Sequence, residues 1–459
     1  MLSRSDGSNS SSDAATGGVD IIEISSKPTA SPTTLPPTLS PSGLPSAAPT
    51  ETLETKIINL IGPLLAGPPT FTKMSSFTDP TTTSFQAIDW MAKVDNRTSD
   101  ILSSDRENKP RVLLIRYIMV SLYLSTNGPD WTRQYNFMTD KDVCEWNDGT
   151  RIQSRAGVWC GDQLDRTDID DEVVVLALAE NRLNGSMPLD LYLLTHMQVL
   201  AFGLNDVSVT IPSYVGEMDK LHYAWLGSTQ LGGTLPTEIG KLTDMTLFSV
   251  YRSSMHGSIP SEIGNWRQLE VFEVSETQIT GTIPSELGHL GQLMRLDIGN
   301  TQMMGTIPTE VGHLSKLINF KAANAGFNGT LPTEFGNCNE LNRMYLNYNQ
   351  LTGTVPSELG QLPWLSHLYL EGNGLFGELP AELGTAASIF YVSIHSNNIV
   401  GDLDPLFCDE NVPGIERVVD VESDCRGNDT VPAQTKCTCC DLCCDDVGCD
   451  GTPFFRLEW

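Results

Sequence analysis

Nine prolines, Pro188, Pro212, Pro236, Pro260, Pro284, Pro308, Pro332, Pro356 and Pro380, recur every 24 residues without insertion or deletion, each behind Met, Ile, Leu or Val. A register held this long fixes a repeated supersecondary unit, and a unit of this size buries its apolar side only by stacking on copies of itself. The repeat begins at Val175 and is clearest from Met344 to Pro356; a tenth unit, Val392 to Leu403, carries Asp404 where proline would stand. The expectation is an α/β solenoid of ten 24-residue coils.

Chemistry in such a chain is read down columns. Leu176, Leu200, Ala224, Phe248 and their successors alternate with outward positions and with a second apolar column, Leu178, Phe202, Leu226, Val250 onward. Alternation with period two predicts a short strand in every coil. The combined pattern, LxLxxNxLxGxIPxxLGxLxxL, resembles the plant-type leucine-rich repeat of receptor-like ectodomains and polygalacturonase-inhibiting proteins. The resemblance implies a right-handed horseshoe whose concave face is a parallel β-sheet, with disulfide caps at its ends; ten strands would span about 43 Å. One column departs from the pattern. The ladder asparagine stands at Asn181, Asn205, Asn349, Asn373 and Asn397, but Thr229, Ser253, Thr277, Thr301 and Ala325 replace it in between. A hydroxyl can do part of the amide's hydrogen bonding and a methyl none, so neighbouring Asn324 is expected to stand in for Ala325.

The chain has 28 basic and 57 acidic residues in 459, a net charge of -29. A balance so acidic, with no basic block, excludes nucleic acid as a partner. Residues 1–84 read as a disordered stalk, its first 56 residues rich in Ser, Thr, Pro and Gly, because such composition buries too little apolar area to offset its ordering entropy. Residues 85–172 read as a helical, Cys-containing N-terminal cap, 173–404 as the repeats, and 405–459 as a Cys-rich C-terminal cap and tail. Helical spacing at Phe85–Ala92 and Val112–Tyr123 suits elements that cover the open end of the solenoid. The start, Met1-Leu-Ser-Arg-Ser-Asp-Gly, lacks the pattern of a secretory signal, and no apolar run reaches membrane-spanning length. Alga and diatom leucine-rich repeat proteins, which the chain resembles, place one membrane helix before a Pro/Ser/Thr stalk. The resemblance therefore implies a cell-surface or extracellular location, with membrane attachment only through an anchor upstream of this chain.

Cysteines concentrate at the two ends. Trp131, Cys144-Glu-Trp146 and Gly157-Val-Trp-Cys160 resemble the N-terminal cap of plant repeats, which implies a Cys144–Cys160 disulfide. Its short loop would contribute roughly 3 kcal/mol through chain entropy. Cys408, Cys425, Cys437, Cys439, Cys440, Cys443, Cys444 and Cys449 follow the repeats. Cys440 and Cys443 have zinc-ligand spacing, but an even, crowded set without histidine favours disulfides, Cys408 with Cys425 being one pairing. Cys338 is expected to be buried.

Signals for catalysis are weak. Gly372-Asn-Gly374-Leu-Phe-Gly377 matches a dinucleotide fingerprint in letters only, since every position is in phase with the repeat and no strand-to-helix turn is available. No metalloprotease, serine-hydrolase or kinase signature occurs, so no enzyme, cofactor or metal is expected. Glu238, Glu262, Glu286, Glu310, Glu334, Glu358 and Glu382 form a ladder, each just behind a proline, where a helical first turn favours negative charge. His289 and His313 read as a solvated convex pair. Thr234, Thr282, Thr306, Thr330 and Thr354 form a further ladder, suited either to β-branched filling or to an ice-like surface.

The informative surface is the outward side of the concave strands. Aromatic and charged residues gather in two groups there: Tyr223, Trp225, Tyr251 and Arg252; and Arg343, Tyr345, Tyr348, His367, Tyr369, Glu371, Tyr391 and His395. Aromatics and arginine beside polar groups have the composition of binding hot spots, and aromatic faces also stack on sugars. The expected function is non-enzymatic recognition of a protein, peptide or glycan ligand on this face. Inhibition of secreted hydrolases and binding of ice or another surface are the alternatives. Sequons at Asn96, Asn184, Asn328 and Asn428 suit glycosylation of an exported chain.

Overall fold

A computed structural model describes residues 51–66, 73–149, 156–161, 163, 171–386, 388–407, 420–424, 434–438, 442–445 and 448–450. Four helices open it: α1 (Leu53–Leu65), α2 (Thr83–Lys93), α3 (Asn96–Ser103) and α4 (Lys109–Ser125). Helix α1 corrects the boundary at residue 84. Thr52 caps it by accepting from the Thr55 amide, and Ile57, Ile61 and Leu65, spaced four apart, bury one face completely against α2 and α4. That stripe sits inside a Pro/Thr-rich composition, which is why composition alone hid it.

Helix α4 is buried nearly all round, including Arg116. The guanidinium donates to both carboxylate oxygens of Asp95 and to the carbonyls of Thr139 and Lys141 at 2.8 Å, and lies 5.0 Å from the Trp146 ring. A buried charge so fully paired is a structural joint. Cys144 and Cys160 form a disulfide with a Cα–Cα separation of 5.3 Å. The cap is seated on the first coil by Asn181, whose amide donates to the Arg133 carbonyl at 3.0 Å and accepts from its N–H at 2.6 Å.

One sheet runs from Gly157 to Asp450. Its strands follow sequence order: β1 (Gly157–Cys160), β2 (Val173–Ala177), β3 (Val199–Ala201), β4 (Tyr223–Trp225), β5 (Leu247–Ser249), β6 (Val271–Glu273), β7 (Arg295–Asp297), β8 (Asn319–Lys321), β9 (Arg343–Tyr345), β10 (His367–Tyr369), β11 (Tyr391–Ser393), β12 (Asp420–Ser423), β13 (Leu442–Asp445) and β14 (Gly448–Asp450). Pairing is antiparallel at β1–β2 and β13–β14 and parallel between, with a step of 24 residues from β3 to β11. A second parallel sheet of ten strands stacks the Asn184–Ser186 segment and its equivalents. Between the sheets the apolar-Pro pairs from Pro188 to Pro356 each enter a single 3-10 turn such as Thr309–His313, and Leu379-Pro380 enters an α-helical turn, Ala381–Thr385; the apolar columns form one continuous core.

Two columns show how neighbouring coils are held. In the asparagine coils the amide reaches backward: Asn205 donates to the carbonyl of Leu178 in the preceding coil at 2.9 Å and accepts from the Leu183 N–H at 3.0 Å. Thr229 and Thr301 instead bond within their own turn, donating to Leu226 and Ile298 at 2.7 and 2.8 Å. Ala325 can do neither. Asn349 of the following coil covers the Ala322 carbonyl at 2.8 Å and the Phe327 N–H at 3.1 Å. Asn324 therefore does not stand in for Ala325: it adopts φ 53° and donates to Asn300 on the surface.

The glycines of the 3-10 turns form the second column. A Cβ added to Gly312 would lie 2.6 Å from the Glu334 carbonyl oxygen, and equivalent clashes recur at Gly216, Gly240, Gly264, Gly288 and Gly360. The glutamate ladder is thus the place where each coil's turn rests on a side-chain-free position of the coil before it.

Candidate ligand-binding face

Strands only three residues long present two outward columns each, and a third outward position follows in the turn. Stacking carries these positions along the sheet, so the working surface is a lattice of three columns. Its middle is charged and internally paired. Glu273 accepts from Ser249 and from Arg295, both at 2.8 Å, and Lys321 lies 3.9 Å from Asp297. Burial holds the Asp297 carboxyl above its usual range, with the Lys321 ammonium pulling the other way.

Toward the C-terminal end the aromatic rings stack on one another. Tyr345 and Tyr369 are parallel with centroids 4.5 Å apart, and Tyr369 meets Tyr391 at 4.6 Å. The row steps sideways there because Ser393 is small enough to leave room for the Tyr391 ring. Lys321 stands 5.4 Å from the Tyr345 ring at one end. At the other, the Tyr391 hydroxyl bonds Glu422, so burial and this carboxylate push its pKa upward. Glu422 also accepts from Ser393 at 2.9 Å and lies 3.7 Å from His395. Glu371 is not the solvent-facing group the columns suggest; it is 1% exposed. His367 packs 5.8 Å from Phe390, and burial together with Arg343 lowers its pKa. Arg343 is exposed, and its side chain makes no hydrogen bond or ion pair among the described residues.

The N-terminal group is built differently. Trp225 lies over Gly203, where an added Cβ would meet Cε2, Nε1 and Cδ2 of the indole at 2.7, 2.8 and 3.0 Å. Tyr251 lies over Gly227 in the same way. Among the described residues neither ring, nor that of Tyr223, contacts another aromatic ring.

The sequence profile of the Leucine Rich Repeat family matches residues 340–362. The chain is similar to the LRR ectodomain of the plant membrane receptor kinase GASSHO1/SCHENGEN3 from Arabidopsis thaliana, solved in complex with CASPARIAN STRIP INTEGRITY FACTOR 2, at 28% identity and a TM-score of 0.54 over 66% of this chain and 34% of that one. It is similar to the plant peptide hormone receptor RGFR1 in complex with RGF2, at 26% identity and a TM-score of 0.51 over 55% and 39% of the two chains. The chain has the leucine-rich repeat fold of these plant receptor ectodomains. A plant ice-binding protein shares the fold at 20% identity and a TM-score of 0.52, over 70% of this chain and 96% of that one. This leucine-rich repeat chain covers well under half the length of either receptor ectodomain. No curated protein matches it.

Two of the residues expected on the repeat protein's concave face lie elsewhere. Arg252 (φ 51°) and Tyr348 (φ 56°) occupy the left-handed position of the turn after the strand, at the edge of the lattice, where Arg252 pairs with Glu276 at 2.8 Å. Glu422 was missed because β12 follows β11 by 29 residues, outside the regular register. The charged row of Glu273, Arg295, Asp297 and Lys321 was visible in the columns but not singled out, since pairing between coils leaves no mark in a single unit.

The remaining candidates have structural explanations. Each threonine of the second-sheet ladder sets its γ-methyl against a glycine of the next coil with φ near 80°, as Thr282 does beneath Gly305 (φ 87°). No group of three or more metal-ligating side chains occurs among the described residues, and none of their helices is long and apolar enough to cross a membrane. Asn96, Asn184 and Asn328 are exposed, while Asn428 lies outside the described residues. Cys338 is buried and free, and burial pushes its thiol up to about 12. Cys437 is disulfide-bonded. Cys408, Cys425, Cys439 and Cys440 lie outside the described residues, as do the side chains of Cys443, Cys444 and Cys449, so the proposed Cys408–Cys425 pairing does too.

Proposed function

We propose that this protein is a non-enzymatic recognition module of the receptor-ectodomain type, exposed at the cell surface or secreted, that binds a peptide or protein ligand along the concave sheet. The observation that carries this reading is the charge distribution. In a chain of net charge -29, the concave lattice brings Arg295, Lys321 and Arg343 together with the tyrosine row, and of these cations only Arg343 lacks a carboxylate partner among the described residues. A rigid aromatic surface with one unspent guanidinium suits a ligand carrying an anionic group. The similarity to two plant receptors, solved in complex with RGF2 and with CASPARIAN STRIP INTEGRITY FACTOR 2, supports a recognition role. Hydrolase inhibition would use the same face and differs only in the partner.

The test is capture of peptides from the extracellular fraction of the native source by immobilised full-length chain, compared with Arg343→Ala. The charge-removing variant should retain its melting temperature and lose the captured species; undiminished capture would sink the assignment of Arg343. Glycan found on Asn184 or Asn328 of native protein would support export.

A further inference from the structure

The two aromatic groups of the concave face differ in what they leave free. In the C-terminal row the ring faces are spent on one another, and the row ends on Lys321 and Glu422. In the N-terminal group the indole of Trp225 turns one face to Gly203, with its two ring-fusion carbons and its nitrogen at 2.7–3.0 Å from the position a Cβ would take, so its other face looks away from the sheet. Small residues surround it: Ala201 and Ser249 flank it in its own column, Ala177 follows one coil beyond Ala201, and Gly227 is two residues on in its own coil. No hydrogen bond from the Trp225 indole N–H or the Tyr223 and Tyr251 hydroxyls occurs among the described residues, and none of the three is a buried, unsatisfied atom.

We infer that Trp225, flanked by Tyr223 and Tyr251, is a subsite for one neutral hexopyranose ring of a glycan. The inference rests on the concave face being the binding face and names the ligand class at this end of it. A pyranose with equatorial substituents offers a flat apolar face of C–H bonds, which suits an open aromatic face, and a rim of hydroxyls that both donate and accept. The rim here meets three unspent donors. It also meets the Ser249–Glu273–Arg295 group, in which the carboxylate already has its cation, as Glu276 has Arg252. With no spare charge of either sign, the subsite suits a neutral sugar better than a uronic acid. A proline ring could cover the same indole but brings no rim of hydroxyls to answer these donors.

The experiment titrates full-length chain by calorimetry with cellohexaose and laminarihexaose, with hexagalacturonate and a polyproline peptide as rivals. At least one neutral hexaose should bind saturably. Trp225→Ala should weaken it by about tenfold or more, and Gly203→Ala should do the same by lifting the indole off the sheet while leaving it in the chain. Trp225→Phe, which keeps a flat ring, should fall between these and wild type, and Thr306→Ala on the second sheet should have no effect. Failure of both neutral hexaoses to bind, binding indifferent to Trp225, or Trp225-dependent binding of the polyproline peptide alone would each overturn the proposal. Because peptide capture through Arg343 is scored separately, a negative result here leaves the function proposed above to stand or fall on its own test.

Discussion

Ala325 is the one ladder residue with no polar side chain, and it occurs where the coil that follows supplies an asparagine. Asn349 answers the same two backbone groups that Thr301 and Thr229 answer from within their own coils. Losing a partner for buried backbone costs roughly 1–3 kcal/mol per group. Asn349→Ala should therefore destabilise the protein by about 2–4 kcal/mol in denaturant unfolding, whereas Ala325→Thr should be near neutral; equal effects would refute the division of labour. The sequence showed that the column was broken at Ala325 but not which residue repaired it, because the repair crosses coils. His367 provides a second test at this scale. Burial and Arg343 depress its pKa below the ordinary 6.5, so the neutral ring is favoured in the folded state. That contribution is present above 6.5 and is lost as pH falls through the depressed value. His367→Gln should flatten the fall in melting temperature between about pH 7 and pH 5; an unchanged slope would assign that fall to other groups.

At the scale of elements, strands and turns were legible because each unit repeats its neighbour, so ten weak signals coincide. Helix α1 was not, since it occurs once and carries Pro63 inside a Thr- and Pro-rich stretch, although Ile57, Ile61 and Leu65 held the helical spacing that identifies it. The concave columns placed Trp225, Tyr345, Tyr369 and Tyr391 correctly on the sheet but could not show that three of these rings stack while the fourth lies flat. That difference depends on Ser393 and Gly203, small residues a coil away. The turns make a sharper prediction. Gly312→Ala sets a methyl against the Glu334 backbone, while a Cβ at Gly232 meets nothing within 4 Å. The first should cost roughly 1–3 kcal/mol, as overpacking does, and the second less than about 0.5 kcal/mol. Similar costs would mean that the turns are not in contact through this column.

For the whole molecule, a solenoid offers three surfaces: the concave sheet, the second sheet and the convex turns. The second sheet has a threonine column whose methyls cover glycines, and beside it a column that changes type from His256 through Met304 and Asn328 to Phe376. The convex turns carry glutamates that seat one coil on another. Among the described residues, the concave sheet alone combines rigid aromatic rings, paired charges and unspent donors. Blocking one surface at a time tests this most directly. Arg343→Cys on the concave face and Thr306→Cys on the second sheet are each labelled with a bulky polyethylene glycol maleimide, with labelled wild type as the blank; buried Cys338, its thiol pushed up to about 12, stays unreacted. Capture of extracellular ligand should vanish for the Arg343→Cys adduct and persist for the Thr306→Cys adduct. The reverse pattern would contradict the account and make the threonine face the working surface.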